Sequence, residues 1–103
     1  MRKIVVTGMG VVTPLGSTLE DFWNNLIAGT SGIGNITYFD TADYTVKIAA
    51  EVKGFNADDY VPKKEQRRMD TNCHYALGAA KMAMDDAGLD KENGDRGRMG
   101  SLV

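Results

Sequence analysis

Two places in this chain have residue types that could do chemistry. Cys73 and His74 stand side by side, and a thiol beside an imidazole is the raw material of a nucleophile and its base. Their spacing works against that use. Adjacent residues on a helix point about 100° apart and do not face each other. The apolar stripe around Cys73 also disfavours a thiolate, so Cys73 reads as a core residue. His74 is the single histidine and Cys73 the single cysteine. A histidine pair, an internal disulfide and a multi-cysteine metal site therefore cannot be assembled from these residues. No catalytic residue, metal ligand or cofactor is assigned.

The second place is Pro62-Lys63-Lys64-Glu65-Gln66-Arg67-Arg68-Met69-Asp70, with four positive charges and one negative within six residues. At helical pitch Lys64, Arg67 and Arg68 lie at i, i+3 and i+4 and share one face. Cations at a helix start oppose the macrodipole, at roughly 0.3–1 kcal/mol each when exposed, and Glu65 offsets part of this. A solvated helix start is the plain reading. The electrostatic objection favours a positive patch that orients an acidic partner.

Two glycine-rich stretches imitate phosphate-binding loops. Gly8-x-Gly10 lacks the third glycine of a dinucleotide loop, and Pro14 falls inside the helix that such a loop would open. Gly29-Thr30-Ser31-Gly32-Ile33-Gly34 lacks the Lys-Ser/Thr ending of a P-loop. Both nucleotide readings are set aside.

The elements that must position these residues follow from pattern. Ile4, Val5 and Val6 are consecutive β-branched residues, which predicts a strand covered on both faces. Gly8 and Gly10 then allow positive φ or a close backbone approach. Ser17-Thr18-Leu19-Glu20 fits a capping box, with Ser17 as the cap. Leu19, Phe22, Trp23, Leu26 and Ile27 form one apolar stripe at helical period, read as core packing, and Gly29 ends that helix. Phe39 anchors the connection and Asp40 forms a turn. From Thr45 to Val52 the chain alternates, with Val46, Ile48, Ala50 and Val52 on one face, as in an exposed or edge strand. Lys47 and Glu51 share the other face as a candidate pair. Beyond Asp70, Met69, Cys73, Ala76, Leu77, Ala80, Met84 and Ala87 form one stripe of a long helix. Tyr75, Ala79, Met82 and Ala83 form a second beside it, and Gly88 caps the end. A helix apolar around most of its surface needs cover on several sides, which implies a larger parent chain or an oligomer. Asp90–Val103 is polar, glycine-rich and without periodicity, and reads as a frayed or irregular tail.

The totals agree with one soluble α/β unit at most: 103 residues, 43% hydrophobic, 25% charged, formal net charge −2. Global attraction to nucleic acid is excluded. There is no apolar run of 18 residues and no signal-peptide pattern, so a cytoplasmic location is the default.

The opening V-V-T-G-M-G-V-V-T-P-L-G resembles that of the β-ketoacyl-[acyl carrier protein] synthases, the condensing enzymes of fatty-acid synthesis. The Trp23 helix, Ala28–Ile33, Phe39-Asp40, Ala50–Phe55, Lys64–Asp70 and Ala83–Leu89 continue the resemblance in order, over roughly residues 2–96. The resemblance implies a thiolase-like α/β fold of which this is the N-terminal part: strand-turn-helix, edge strand, long buried helix. It implies a homodimer, an acyl carrier protein partner, and a decarboxylating Claisen condensation of acyl and malonyl thioesters on a cysteine assisted by two histidines. Those catalytic residues lie beyond position 103 in the family, and Cys73 and His74 do not match them. Lys64, Arg67 and Arg68 do match the family's carrier-docking residues. Residues 97–103 depart from the pattern, so the expected organisation is a family segment over 1–96 and a divergent tail. The alternative is a non-catalytic module that only docks the carrier.

Overall fold

In the computed structural model, which describes residues 1–90 and 92–102, the chain forms three helices and a small antiparallel sheet. Helix α1 spans Leu19–Ile27, strand β1 Ile33–Asn35 and strand β2 Ile48–Ala50. A 3-10 turn at Ala57–Asp59 leads into helix α2, Lys63–Gln66, and helix α3, Thr71–Asp86. A second 3-10 turn covers Arg96–Arg98.

The entry to α1 is set by Thr13. Pro14 sits second in the turn Thr13–Gly16, which is closed by Thr13 N–H to Gly16 O (3.0 Å) and Gly16 N–H to Thr13 O (3.1 Å). The Thr13 hydroxyl donates to Gly16 O at 2.9 Å and accepts from the amides of Leu15 and Gly16. The helix is capped one residue later than the capping box implies. Thr18 has extended backbone and accepts from Asp21 N–H at 3.1 Å, while the buried Ser17 hydroxyl has no partner among the described residues. Two adjacent hydroxyl residues compete for one cap, and Thr18 has the amide of the third helical residue, Asp21, in reach. At the other end Gly29 takes φ +70°, and the Gly29 and Thr30 amides return to Leu26 O and Asn25 O, a Schellman cap. Gly88 repeats this at the end of α3, with φ +70° and bonds from Gly88 and Leu89 to Asp85 O and Met84 O.

The N-terminal segment crosses α3 at backbone contact. A Cβ placed on Gly10 would collide with the Ala79 carbonyl and lie 2.7 Å from Met82 Cβ. One on Gly8 would meet the Ala83 carbonyl and lie 2.6 Å from Ala87 N. Met9 N–H donates to Asp86 Oδ2 at 3.0 Å across the same crossing. Close approach is thus the use made of both glycines; neither has positive φ. An apolar cleft of about 750 Å³ lies between this segment and α1, lined by Met9, Val11, Leu19, Phe22 and Trp23 among others.

Further along α3, Gly78 is buried, and a Cβ there would lie 2.7 Å from the Phe55 ring. Phe55 stacks on Tyr60 (centroids 5.5 Å, interplanar 10°) and meets Tyr75 edge-on (5.1 Å, 84°). Such pairs add about 0.5–1.5 kcal/mol each beyond burial. Val61, 2% exposed, sits beside this cluster.

The structure corrects several expectations. Ile4–Thr7 belongs to no sheet among the described residues, and Ile4 and Val6 are 98% and 80% exposed. A strand exists through its neighbours' hydrogen bonds, and no described strand lies alongside. The alternating segment yields a strand of three residues rather than eight. It pairs antiparallel with β1 (Ile33↔Ala50, Gly34↔Ala49, Asn35↔Ile48), and the sequence reading gave β1 to a loop. Its inward residues are Ala49 and Glu51; the apolar face of Val46, Ile48 and Ala50 is open. Trp23 is 58% exposed rather than core, and α3 buries little beyond Gly78. Cys73 is exposed, not core. The tail is irregular but not frayed: Asp90 Oδ1 accepts from the Glu92 and Asn93 amides, and Asp95 caps the last 3-10 turn. Lys91 and Val103, also assigned to the tail, lie outside the described residues.

These openings have one source. The accessible surface is 8642 Å², where a self-sufficient domain of 11.2 kDa exposes about 5,700 Å². The radius of gyration is 16.9 Å, against about 13 Å for a compact chain of this length. These residues do not cover one another.

Gly10→Ala tests the crossing. It should cost about 1–3 kcal/mol by overpacking and lower the urea midpoint followed by Trp23 fluorescence, whereas an unchanged midpoint would show that the two backbones are not in contact.

Candidate functional site

Lys63 and Lys64 lie in the single turn of α2, and Arg67 and Arg68 in the turn that follows it. Pro62 precedes α2 and Arg67 follows it as the C-cap; Asp70 then starts α3. Sequence periodicity therefore merges two elements that the structure separates at residues 67–70. The macrodipole objection lapses with this, since a four-residue helix has little dipole to oppose. The cationic surface itself is present. Lys63, Lys64, Arg67 and Arg68 are all exposed and together line a concavity of about 440 Å³. The three expected cations are brought together. Lys63 is the one that sequence reasoning missed, although its i,i+4 spacing to Arg67 was a signal for it.

The electrostatics are uncompensated. Lys63 Nζ lies 3.9 Å from Asp58 Oδ2, with both groups well exposed. Lys64, Arg67 and Arg68 make no ion pair with any described residue. Like charges a few ångströms apart in water repel by about 1 kcal/mol per pair at low salt. A surface that holds four of them around a hollow gains when an anion occupies it. All four lining side chains end in cationic donors, so the hollow can orient an acidic group.

The other candidate residues do not form a reactive centre. His74 Nε2 is 3.3 Å from the Gln66 carbonyl oxygen, a backbone contact. No group of three or more His, Cys, Asp or Glu side chains able to hold a metal ion occurs among the described residues. No described helix is long and apolar enough to cross a membrane. Asp40 forms its turn by accepting from Ala42 N–H at 3.0 Å, and Phe39 meets Tyr44 edge-on.

Glu51 is not paired with Lys47. Lys47 Nζ donates instead to the carbonyls of Thr41 and Ala42. Glu51, 7% exposed, accepts from Thr37 N–H and Thr37 Oγ1, each at 2.8 Å. These bonds, the backbone one first, hold its carboxyl below the usual glutamate range. Burial, and then a hydrogen bond with Tyr38, push the neighbouring Tyr75 phenol up. Both groups line a smaller hollow of about 260 Å³ beside β2, and Glu51, through Thr37, clasps the β1–β2 connection.

Over residues 1–103 the chain matches the family described as "Beta-ketoacyl synthase, N-terminal domain". The chain belongs to the β-ketoacyl synthase family. It is 42% identical over 102 residues to the 3-oxoacyl-[acyl-carrier-protein] synthase 2 of Vibrio cholerae, covering 99% of this chain and 25% of that protein. It is 46% identical over 88 residues to the Synechocystis protein of the same name, covering 85% and 21%. Among solved structures it is similar to the ishigamide ketosynthase/chain length factor (TM-score 0.75, 38% identity, 86% of this chain and 22% of that one). It is also similar to a beta-ketoacyl synthase from Burkholderia phymatum (TM-score 0.71, 31% identity, 90% and 23%). The fold is thus the N-terminal part of the ketosynthases' thiolase-like α/β fold. The chain spans about a quarter of the length of the curated relatives it matches. The missing partner of Ile4–Thr7 therefore does not overturn the resemblance drawn from the sequence.

Because the folded-state pKa of Glu51 is depressed, the clasp holds above about pH 4.5 and is lost as pH falls below it. The Thr37 amide shift followed by NMR should titrate with a midpoint under 4.5, and Glu51→Gln should abolish the titration. A midpoint at or above 4.5 would contradict the clasp.

Proposed function

We propose that this chain is the scaffold-and-docking portion of a 3-oxoacyl-[acyl carrier protein] synthase of fatty-acid synthesis. The observation that carries the reading is the hollow of Lys63, Lys64, Arg67 and Arg68, exposed and mostly unpaired, in a chain of the β-ketoacyl synthase family. The names of its relatives include an acyl carrier protein, and an acidic carrier complements four cations. Complementary charge raises the encounter rate and fixes orientation more than it adds affinity.

On this reading the whole enzyme catalyses a decarboxylating Claisen condensation. An acyl group passes from the carrier's thiol to an enzyme cysteine. Malonyl-carrier then loses carbon dioxide, and the resulting carbanion attacks the thioester to give the 3-oxoacyl product. The nucleophile and its two histidines are not among these 103 residues. Cys73, exposed on α3, and His74, bound to a backbone carbonyl, are not substitutes. The chain alone is therefore inactive as an acyltransferase. The whole enzyme is a cytoplasmic homodimer, with residues 1–96 in its fold and 97–103 divergent. A docking module without chemistry is the second reading, favoured by the same hollow.

Titration with purified acyl carrier protein tests the docking. Binding should weaken as salt rises, and Lys64→Glu or Arg67→Glu should reduce it at least fivefold; binding indifferent to both would remove the site. Acyl- and malonyl-carrier incubated with the chain should give no 3-oxoacyl product, and any product formed would show that the chain carries its own reactive residues.

A further inference from the structure

A one-turn helix does not hold itself. Isolated helices shorter than about 12 residues are marginal in water, and α2 has four residues and carries or adjoins all four cations. Something outside it must fix the directions in which those side chains leave the surface.

Gln66 lies between the two cationic pairs and is half-buried. Its Nε2 donates twice, to Asp58 Oδ1 and to Val61 O, each at 2.8 Å. Its backbone carbonyl oxygen, which any residue here would present, lies 3.3 Å from His74 Nε2 of α3. The Gln66 side chain thus ties the basic turn to the 3-10 turn through Asp58 and to the buried Val61 backbone. The chemistry is selective, because both partners of Nε2 are acceptors. A carboxylate in its place would be repelled by Asp58, and an apolar side chain would leave both acceptors unpaired. Asp58 is oriented in turn, with its second oxygen 3.9 Å from Lys63 Nζ.

We propose that Gln66, acting through Asp58 and Val61, is the positioning residue that presents Lys63, Lys64, Arg67 and Arg68 to the carrier, an inference that rests on the docking reading above. It does not touch the partner. Loss of the clamp leaves net charge and long-range attraction intact and spoils the short-range fit. The effect therefore falls on dissociation rather than on association.

The test is a kinetic titration of the 103-residue chain with acyl carrier protein at two salt concentrations, with far-UV circular dichroism as a check on folding. Gln66→Met should raise the dissociation rate about tenfold, the scale of one or two lost hydrogen bonds, while the association rate and its salt dependence stay as in the unmodified chain. Asp58→Leu should also raise the dissociation rate, although the negative charge it removes should raise the association rate as well. Asp58→Asn keeps an acceptor for Gln66 and removes a competing negative charge, so it should bind as tightly as the unmodified chain or more tightly. Unchanged dissociation in Gln66→Met overturns the inference while leaving the docking site standing. So does equal tightening in Asp58→Leu and Asp58→Asn, which would make Asp58 a competing charge only. If Gln66→Met loses its helical signal, the two Asp58 variants decide. An unmodified chain that does not bind the carrier removes the docking reading and this inference with it.

Discussion

Everything in this structure hangs from the crossing of Gly8–Gly10 over α3. Two backbones meet there with no room for a side chain, against the carbonyls of Ala79 and Ala83. The contact fixes the N-terminal segment, and with it the Thr13 turn and α1. From the same helix a series of contacts runs the other way. Gly78 admits the Phe55 ring, Phe55 stacks on Tyr60, and Tyr75 closes the cluster from α3. Val61 is buried beside them, and its carbonyl receives Gln66. The cationic turn is therefore positioned at the end of a packed series that begins with two glycines some fifty residues earlier in the chain.

That series explains why so little is buried elsewhere. Small residues let elements approach, but they bring little apolar area to the contact. Ile4, Val6, Trp23 and Ile48 are among the large apolar side chains left exposed. The open edges of β1 and β2 are a further such exposure. A chain that spans a quarter of its relatives has local structure set by its own turns and caps. Its hydrophobic faces are cut to fit neighbours that its own residues do not provide.

Legibility in the sequence followed the range of the interaction. Features fixed by a few adjacent residues were readable: the Gly29 and Gly88 caps, the Asp40 turn, the α1 stripe, and the grouping of Lys64, Arg67 and Arg68. Gly8 and Gly10 announced a close approach, although not its partner. Features that depend on what lies across the chain were not readable. Ile4–Val6 has the composition of a strand and lacks the neighbour that would make it one. Val46 to Val52 has a strand's alternation, yet its polar face turned inward because Thr37 offers two hydrogen bonds to Glu51. The break at residues 67–70 was hidden because periodicity does not register where one helix stops and Asp70 begins another.

Function follows the same division. The described residues gather four cations around one hollow, while Cys73 is exposed and His74 meets a backbone carbonyl. The most direct measurement of the account is a nuclear Overhauser experiment on the labelled 103-residue chain. Cross-peaks should join the Gly8 α-protons to the Ala87 methyl and the Gly10 α-protons to the Ala83 amide. Random-coil shifts at both glycines with no such cross-peaks would mean that the crossing does not form, and the positioning of every element built on it would fail with it.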